Sequence, residues 1–183
     1  MVDFGLSTAI KHRKREGANP IIAEIKVYSP KYGDLLGDRD PIDILRAYER
    51  AGVVGISYIT EPKYFGGDFK LFRKICRETD LPVLRKDFIT SKNEIERSAE
   101  AEASAVLIIT RILGERTAEF VDYALEHGLE TLVEVHSLDE IRIVSTSIIC
   151  IKSNILMNFV EPHSHLSSIG SILVILPHFV QVK

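Results

Sequence analysis

The sequence has few of the features that mark secreted, metal-binding or membrane proteins. Its two cysteines, Cys76 and Cys150, lie far apart and lack the spacing of a zinc site, so neither a disulfide framework nor a bound metal is expected. No run reaches the roughly 18 apolar residues of a membrane helix, and the basic N-terminal segment lacks the apolar region of a signal peptide. A net charge of −3 gives no reason to expect a nucleic-acid partner. These absences favour a protein of the reducing cytoplasm.

One end of the chain is also poor in charge. Charged residues make up 27% of the sequence, yet after residue 140 they are only Arg142, Lys152, Glu161 and Lys183. An abrupt change of composition indicates a change in the kind of structure. The sequence therefore predicts two parts, residues 1–140 and an atypical tail of residues 141–183.

The first part alternates short apolar runs with segments of helical periodicity. Near-continuous runs of apolar, β-branched residues are typical of parallel strands that are buried on both faces. Five such runs predict strands: PIIAEIK (20–26), VVGISYIT (53–60), PVLRK (82–86), AVLIIT (105–110) and TLVEV (131–135). Their alternation with helices predicts an α/β fold of about five β/α units.

Two architectures fit this alternation, an open doubly wound sheet and a closed (β/α)8 barrel. A dinucleotide-binding sheet usually carries a G-x-G-x-x-G motif after its first strand, and KVYSPKYGD stands there instead. A barrel places its active site on the loops that follow the C-terminal ends of the strands. Charged residues stand at those ends here, which favours the barrel.

Strand parity assigns four of these charges to one face. Side chains alternate between the two faces of a strand, so Glu24 and Lys26 share a face in the first strand. Lys86 and Glu134 each follow a leucine of the same parity in the third and fifth strands. Charges at strand ends are common because strands end at solvent. If these faces line a barrel, however, two carboxylates and two ammonium groups meet at its rim, a set suited to acid–base chemistry.

Four motifs, in their order and spacing, resemble the indole-3-glycerol-phosphate synthase family: PIIAEIKVYSP, TEPKYFGGD, LPVLRKDF and LVEV. The resemblance covers about residues 15–140, and the short N-terminal extension is similar to that of archaeal members. It implies a (β/α)8 TIM barrel and a carbon–carbon lyase of tryptophan biosynthesis. That enzyme closes the indole ring of 1-(2-carboxyphenylamino)-1-deoxyribulose 5-phosphate with loss of carbon dioxide and water. The resemblance implies a phosphorylated small molecule as partner and no metal or organic cofactor.

The resemblance also implies roles for the four charged residues. Lys86 resembles the general acid that protonates the substrate carbonyl as the ring carbon attacks. Glu24 and Glu134 resemble the acid–base partners of the later proton transfers and the dehydration, and the division of steps between them is left open. Lys26 resembles the lysine that holds the carboxylate and phosphate end of the substrate.

Further residues are implied as substrate contacts. Ser29, with Pro30 in the same turn, resembles a contact on the phosphate side, although a Ser-Pro pair also simply starts turns. Phe65 resembles the aromatic residue that packs on the anthranilate ring, and Leu107 would line the same apolar pocket. Without the motif, Phe65 would be interpreted as an ordinary loop aromatic.

The resemblance ends near residue 140. The family continues with Gly-Ile-Asn, Glu-Ser-Gly and Gly-Ser runs on its last three strands, and the sequence contains none of them at those places. Three explanations are open: a shift of reading frame near residue 141, a divergent tail in which SILVILPHFVQV packs as a strand or a helix, and a half-barrel fragment. The intact upstream motifs favour the first.

An incomplete barrel has consequences for folding. Exposed parallel strands pair or aggregate, so the expectation is a poorly folded, aggregation-prone and inactive chain, whereas a complete barrel would be a monomer or weak oligomer. Two other functions are kept as alternatives. One is another phosphate-binding barrel enzyme of amino-acid biosynthesis, and the other is a non-catalytic truncated barrel that binds a partner.

Overall fold

A computed structural model describes residues 5–137, 139–140, 148–152 and 172–175. The strands are β1 (Ile22–Ile25), β2 (Tyr28–Ser29), β3 (Gly33–Asp34), β4 (Gly55–Ile59), β5 (Val83–Lys86), β6 (Ala105–Ile109), β7 (Glu130–Val135), β8 (Ile148–Lys152) and β9 (Ile172–Ile175). The helices are α1 (Leu6–Arg15), α2 (Pro41–Arg50), α3 (Pro62–Phe65), α4 (Phe69–Glu78), α5 (Lys92–Glu100), α6 (Thr110–Leu113) and α7 (Thr117–Glu126), with a 3₁₀ turn at Gly114–Arg116.

Seven strands form one parallel sheet in the order β1-β4-β5-β6-β7-β8-β9. Strands β2 and β3 form a separate antiparallel hairpin in the loop that follows β1. The main sheet runs in chain order, without the reversal of strand order that defines a doubly wound sheet. The α/β prediction is confirmed, and the strand order is that of the barrel.

The five predicted strands are present as β1, β4, β5, β6 and β7. The sheet continues beyond them, because β8 pairs in parallel with β7 and β9 with β8. The sequences of these two strands, IICIK and ILVI, are rich in β-branched residues, which favour strands whatever motif surrounds them. The second lies within SILVILPHFVQV, for which both strand and helix were open. Most of the 141–183 tail lies outside the described residues. The three explanations offered for the tail therefore concern residues that the structure does not describe.

Helices begin where the sequence supplies caps. Asp40 accepts a hydrogen bond from the backbone N–H of Ile42 at 2.7 Å, directly before Pro41 at the first helical position of α2. At the start of α4, Asp68 likewise accepts a hydrogen bond from the backbone N–H of Lys70 at 2.7 Å. Glu94 accepts from the backbone N–H of Ser91 at 3.0 Å, which is one half of a capping box for α5. These caps set the loops that join the C-terminal ends of the strands to the helices.

The core lies on both faces of the sheet. On the outer face, strand residues such as Tyr58 and Ile108 pack against α2, α4, α5 and α7. On the inner face, Leu84, Leu107 and Leu132 pack against Leu6 and Ile10 of α1. Helix α1 therefore covers the inner face, and sequence analysis did not predict this helix.

A carboxylate of the sheet holds the start of α1. Glu130, the first residue of β7, accepts a hydrogen bond from the backbone N–H of Ser7 at 2.9 Å and another from the Ser7 hydroxyl. The first N–H groups of a helix have no partner within the helix, and a negative charge is favourable at that end. Because Glu130 starts its strand, α1 is anchored at the N-terminal end of the sheet, opposite the end that carries the predicted charges.

Candidate active site

The inner face changes from apolar to charged toward the C-terminal ends of the strands. Glu24 on β1 is in register with Ser57 on β4, which is in register with Leu84 on β5. Neighbours in register share a face of the sheet, and Leu84 belongs to the inner cluster. Glu24 therefore faces inward, and so does Lys86, which stands two residues beyond Leu84.

Lys86 and Glu24 meet in an ion pair that spans β4. The residue of β4 in register with Glu24 is Ser57, whose small side chain leaves room for the longer side chains on either side. The two paired side chains are 22% and 20% exposed. On the far side of β1, the Tyr48 hydroxyl of α2 donates to the carbonyl oxygen of Glu24 at 3.3 Å. The pair is thus held by the scaffold yet open to a ligand from the rim.

Glu134, at the same end of β7, has a histidine beside it. His136 Nε2 lies 3.0 Å from Glu134 Oε1, and their side chains are 11% and 17% exposed. The Thr110 hydroxyl lies 2.9 Å from the Glu134 carbonyl oxygen and also contacts Glu140. Sequence analysis did not predict a role for His136, although its parity with Glu134 places it on the same face. The arrangement holds a carboxylate next to a group that can carry a proton.

The Glu140 carboxylate supports this histidine from the following turn. The backbone N–H of His136 donates to Glu140 at 2.6 Å. Burial raises the pKa of Glu140, but hydrogen bonds from the Thr110 hydroxyl and the His136 N–H outweigh it and leave this pKa below the ordinary value. Glu140 therefore carries charge at neutral pH, which fixes the backbone just beyond Glu134.

An aromatic surface with a cation beside it lies at the rim. The Lys26 ammonium lies 4.8 Å from the centre of the Phe65 ring, within the range of a cation–π contact. The ring centres of Phe65 and Phe88 are 6.4 Å apart, and Phe88 is 43% exposed. Sequence reasoning missed Phe88, although LPVLRKDF contains it and its parity matches that of Lys86. Such a surface suits an aryl ring that carries a negative group.

The TEPKYFGGD motif folds into a rigid turn that positions Phe65. Glu61, only 8% exposed, accepts hydrogen bonds from three backbone N–H groups of α3, including that of Phe65 at 3.2 Å. Gly67 closes the turn, because a Cβ atom there would lie 2.3 Å from the carbonyl carbon of Thr60. Backbone cannot move aside as a side-chain tip can, so only glycine fits this position.

The remaining predicted contacts lie at the edges of the site. Ser29 is buried in the hairpin, and its hydroxyl accepts from the backbone N–H of Lys31 at 3.3 Å, while Pro30 is exposed beside it. The hydroxyl therefore serves the turn in this state. Leu107 is buried in the inner cluster and in register with Leu132, one layer below Glu134. It forms part of the apolar floor beneath the charges.

A cleft of about 480 Å³ opens elsewhere, on the outer side of the same strand ends. Its lining includes Thr60, Glu61, Arg85, Asp87, Phe88 and Arg97. Arg85 has the opposite parity to Lys86 and belongs to the outer face. The inward charges Glu24, Lys86 and Glu134 do not line this cleft, so the candidate active site is the inner rim.

The part of the chain that the structure describes contains neither a metal-binding cluster nor a membrane-spanning helix. Within that part, no three or more histidine, cysteine, aspartate or glutamate side chains come together as a metal site would require. None of its helices has the length and apolar character needed to cross a membrane.

Comparison with known proteins agrees with the motifs at this rim. The family model for indole-3-glycerol phosphate synthase matches residues 3–157. The chain is 67% identical over 143 residues to the indole-3-glycerol phosphate synthase of Pyrococcus abyssi, covering 78% of this chain and 61% of that protein. It is 69% identical over 140 residues to the one of Thermococcus kodakarensis, covering 76% and 60%. The chain thus spans less than two thirds of the length of these curated relatives.

A solved structure agrees in fold. A type I 3-dehydroquinate dehydratase from Clostridium difficile matches with a TM-score of 0.53 at 11% identity, over 73% of this chain and 61% of that one. At this identity the likeness shows the fold alone.

Proposed function

Because the chain belongs to the indole-3-glycerol phosphate synthase family, we propose that it closes the indole ring of 1-(2-carboxyphenylamino)-1-deoxyribulose 5-phosphate, releasing carbon dioxide and water. The observation that carries this proposal is the inward-facing Lys86–Glu24 ion pair at the C-terminal rim. Glu134 shares the face and the rim, as parity and register require. A cation and two carboxylates at one rim are the groups that this reaction needs.

Lys86 acts as the general acid of ring closure. Negative charge develops on the substrate carbonyl oxygen as the ring carbon attacks it, and an ammonium group placed there stabilises that charge and donates the proton. Glu24 holds the ammonium group at the rim until the substrate arrives. The exposure of about one fifth in both side chains supports exchange of this contact for one with substrate.

Glu24 and Glu134 act in the later steps. After carbon dioxide leaves, dehydration needs one group that protonates the departing hydroxyl and another that removes a proton. The contact of Glu134 with His136 gives it a neighbour through which a proton can be exchanged. Which carboxylate takes which step is a question for the single variants Glu24→Gln and Glu134→Gln.

The aromatic surface binds the anthranilate end of the substrate. Phe65 and Phe88 offer ring faces, and Lys26 beside Phe65 pairs with the substrate carboxylate or phosphate. Ser29 and Pro30 provide the turn on the phosphate side, and Leu107 provides apolar floor. Ring closure joins two parts of one molecule, so holding the reactive conformer accounts for much of the rate gain.

The reaction takes place in the cytoplasm. Cys76 is a free, buried thiol, and burial raises its pKa to about 12. The low cysteine content and this free thiol, rather than its pKa, favour a reducing compartment. The chain acts as a monomer or weak oligomer if its barrel is complete. Size-exclusion chromatography distinguishes that state from the aggregates that an incomplete barrel predicts.

The test is formation of indole-3-glycerol phosphate from this substrate by the 183-residue chain, followed by the fluorescence of the product. We expect Lys86→Ala to lower turnover by about 10²- to 10⁴-fold, with an unchanged circular dichroism spectrum. The matched control is Lys92→Ala, since Lys92 pairs with Glu119 at 2.9 Å between α5 and α7, in the helical layer outside the inner face.

Three results lead to different conclusions. Turnover that depends on Lys86 and not on Lys92 supports the proposal. Substrate binding without turnover supports an inactive chain that has kept its site. A folded chain that neither binds nor converts the substrate contradicts the proposal and favours the non-catalytic partner module.

A further inference from the structure

The residues on either side of Lys86 belong to a closed ring of hydrogen bonds on the outer face. Arg85 Nε donates to the Thr60 hydroxyl at 2.9 Å, and Arg85 Nη2 donates to Asp87 Oδ2 at 2.9 Å. The Thr60 hydroxyl donates in turn to the same Asp87 oxygen. Three side chains from the ends of two neighbouring strands thus close a ring, which we call the Thr60 ring.

The Thr60 ring is also bonded to the backbone around Lys86. The backbone N–H of Thr60 donates to the Lys86 carbonyl oxygen at 2.9 Å. The second oxygen of Asp87 accepts from the backbone N–H of Phe88 at 2.8 Å. Every residue from 85 to 88 is therefore bonded to this ring, while the Lys86 side chain projects from the opposite face to pair with Glu24.

The ring is buried and anchored to two helices. Arg85 is 3% exposed and Thr60 is 4% exposed. The remaining guanidinium nitrogen, Nη1, donates to the Glu94 carbonyl oxygen at 2.8 Å and to the Ser98 hydroxyl at 2.9 Å on α5. The Arg85 guanidinium also lies 5.0 Å from the ring centre of Phe69 on α4. These contacts join β4, β5, α4 and α5 directly behind the rim.

Stability alone does not account for such a ring. A buried ion pair contributes little net stability, because desolvation of both charges offsets their attraction, and apolar residues of similar volume often serve as well. What a guanidinium adds is geometry, since its planar group of donors fixes the direction of each partner. A lysine has a long flexible side chain, so its reach to a substrate atom depends on where its backbone is held.

We propose that Thr60, Arg85 and Asp87 are positioning residues that hold the backbone of Lys86 and Phe88 at the rim. The catalytic consequence rests on the function proposed above, since a displacement of about 1 Å at an acid–base group costs about 10²-fold in rate. The effect on the position of the Lys86 side chain does not depend on the proposed function, because the Lys86–Glu24 contact exists in the free chain.

Asp87→Asn tests the ring with little change of volume. The two carboxylate oxygens of Asp87 accept three hydrogen bonds, from Thr60, Arg85 and the Phe88 N–H. An asparagine has one acceptor oxygen and a donor NH₂ group. With its NH₂ group in the place of Oδ2 the ring opens at Arg85, and with its NH₂ group in the place of Oδ1 the bond to the Phe88 N–H is lost. Either orientation therefore removes one of the contacts that hold this backbone. Thr60→Val removes the hydroxyl and opens the Thr60 ring on the β4 side. Thr60→Ser keeps the hydroxyl, so we expect it to behave like the unsubstituted protein.

Ser98→Ala is the matched control. It removes one hydrogen bond from the same guanidinium, at the α5 end and away from the rim. We expect both Ser98→Ala and Asp87→Asn to lower the melting temperature. We expect Ser98→Ala to keep kcat within about twofold of the unsubstituted value. Asp87→Asn and Thr60→Val are expected to lower kcat by about 10- to 100-fold, with a smaller change in KM and near-normal values for Thr60→Ser.

A measurement without substrate keeps the proposal separate from the proposed function. In reductively ¹³C-methylated protein, the Lys86 signal is identified by its loss in Lys86→Arg. We expect this signal to move in Asp87→Asn and in Thr60→Val, and to stay in place in Ser98→Ala and Thr60→Ser. If it stays in place in all four, or moves equally in Ser98→Ala, the ring has no positioning role, whether or not the chain turns over substrate.

Discussion

Removing one hydroxyl at the start of α1 should measure how firmly this helix is held against the inner face of the sheet. Ser7 is 8% exposed, and its backbone N–H and hydroxyl both donate to the Glu130 carboxylate. Ser7→Ala keeps the first bond, at 2.9 Å, and removes the second. Glu130 then keeps its charge with one donor fewer at a half-buried site.

The magnitude follows from the one hydrogen bond that is lost. A hydrogen bond to a charged group contributes about 1.5–3 kcal/mol. Alanine is the better helix former by up to about 0.5 kcal/mol, which partly offsets the loss. We therefore expect the free energy of unfolding to fall by about 1–2.5 kcal/mol. With an m-value of about 2 kcal/mol/M, the urea midpoint falls by about 0.5–1.3 M.

Urea unfolding followed by far-ultraviolet circular dichroism is the assay, because the chain has no tryptophan to report by fluorescence. Thr8→Ala is the control, since Thr8 is the next residue of the same helix and is exposed; we expect a change within about 0.5 kcal/mol. In a Glu130→Gln background, Ser7→Ala should cost less, because the charged acceptor is gone. Equal effects of Ser7→Ala and Thr8→Ala would refute the reasoning.

Three other predictions concern separate parts of the chain. In a Cys150→Ala background, Cys76 should react with a thiol reagent only on unfolding, since burial raises its pKa to about 12; fast reaction of the native protein contradicts this. The hydrogen bond from Thr79 holds the pKa of Glu49 below its ordinary 4.5, so its stabilisation is present above pH 4.5 and lost as pH falls through the lower folded-state value; Thr79→Val should flatten that acid limb in melting experiments. Sequencing the gene across codon 141 should reveal the Gly-Ile-Asn, Glu-Ser-Gly and Gly-Ser runs in another frame, and their absence from all frames makes the tail genuine.

Much of the candidate site could be predicted because strand geometry is local. Side chains alternate with period two in any strand, so the parity of Glu24, Lys86 and Glu134 was available before their surroundings were known. The same rule, extended by two residues, would have added Phe88 and His136. Neither was predicted, because both residues follow the last residue of their strand, Lys86 in β5 and Val135 in β7.

Other parts of the structure had no local signal. Helix α1 is rich in basic residues and buries only Leu6, Ser7 and Ile10, so its face is too narrow to stand out in the sequence. The β2–β3 hairpin consists of two strands of two residues each, and Gly33, the first residue of β3, lies in the left-handed region. Strands β8 and β9 were not predicted with the other five, because the family motifs expected around them are missing. In each case the element is stabilised by what it packs or pairs with.

By itself the sequence determined the α/β class, the strands β1, β4, β5, β6 and β7, and the face on which each charge lies, because periodicity and capping act over a few neighbouring residues. Only the tertiary structure decided which charges meet. Lys86 reaches Glu24 across β4 because register places the small Ser57 between them, and Arg85 meets Thr60 because two strand ends coincide. Register between distant segments results from packing the whole sheet, and no short stretch of sequence contains it.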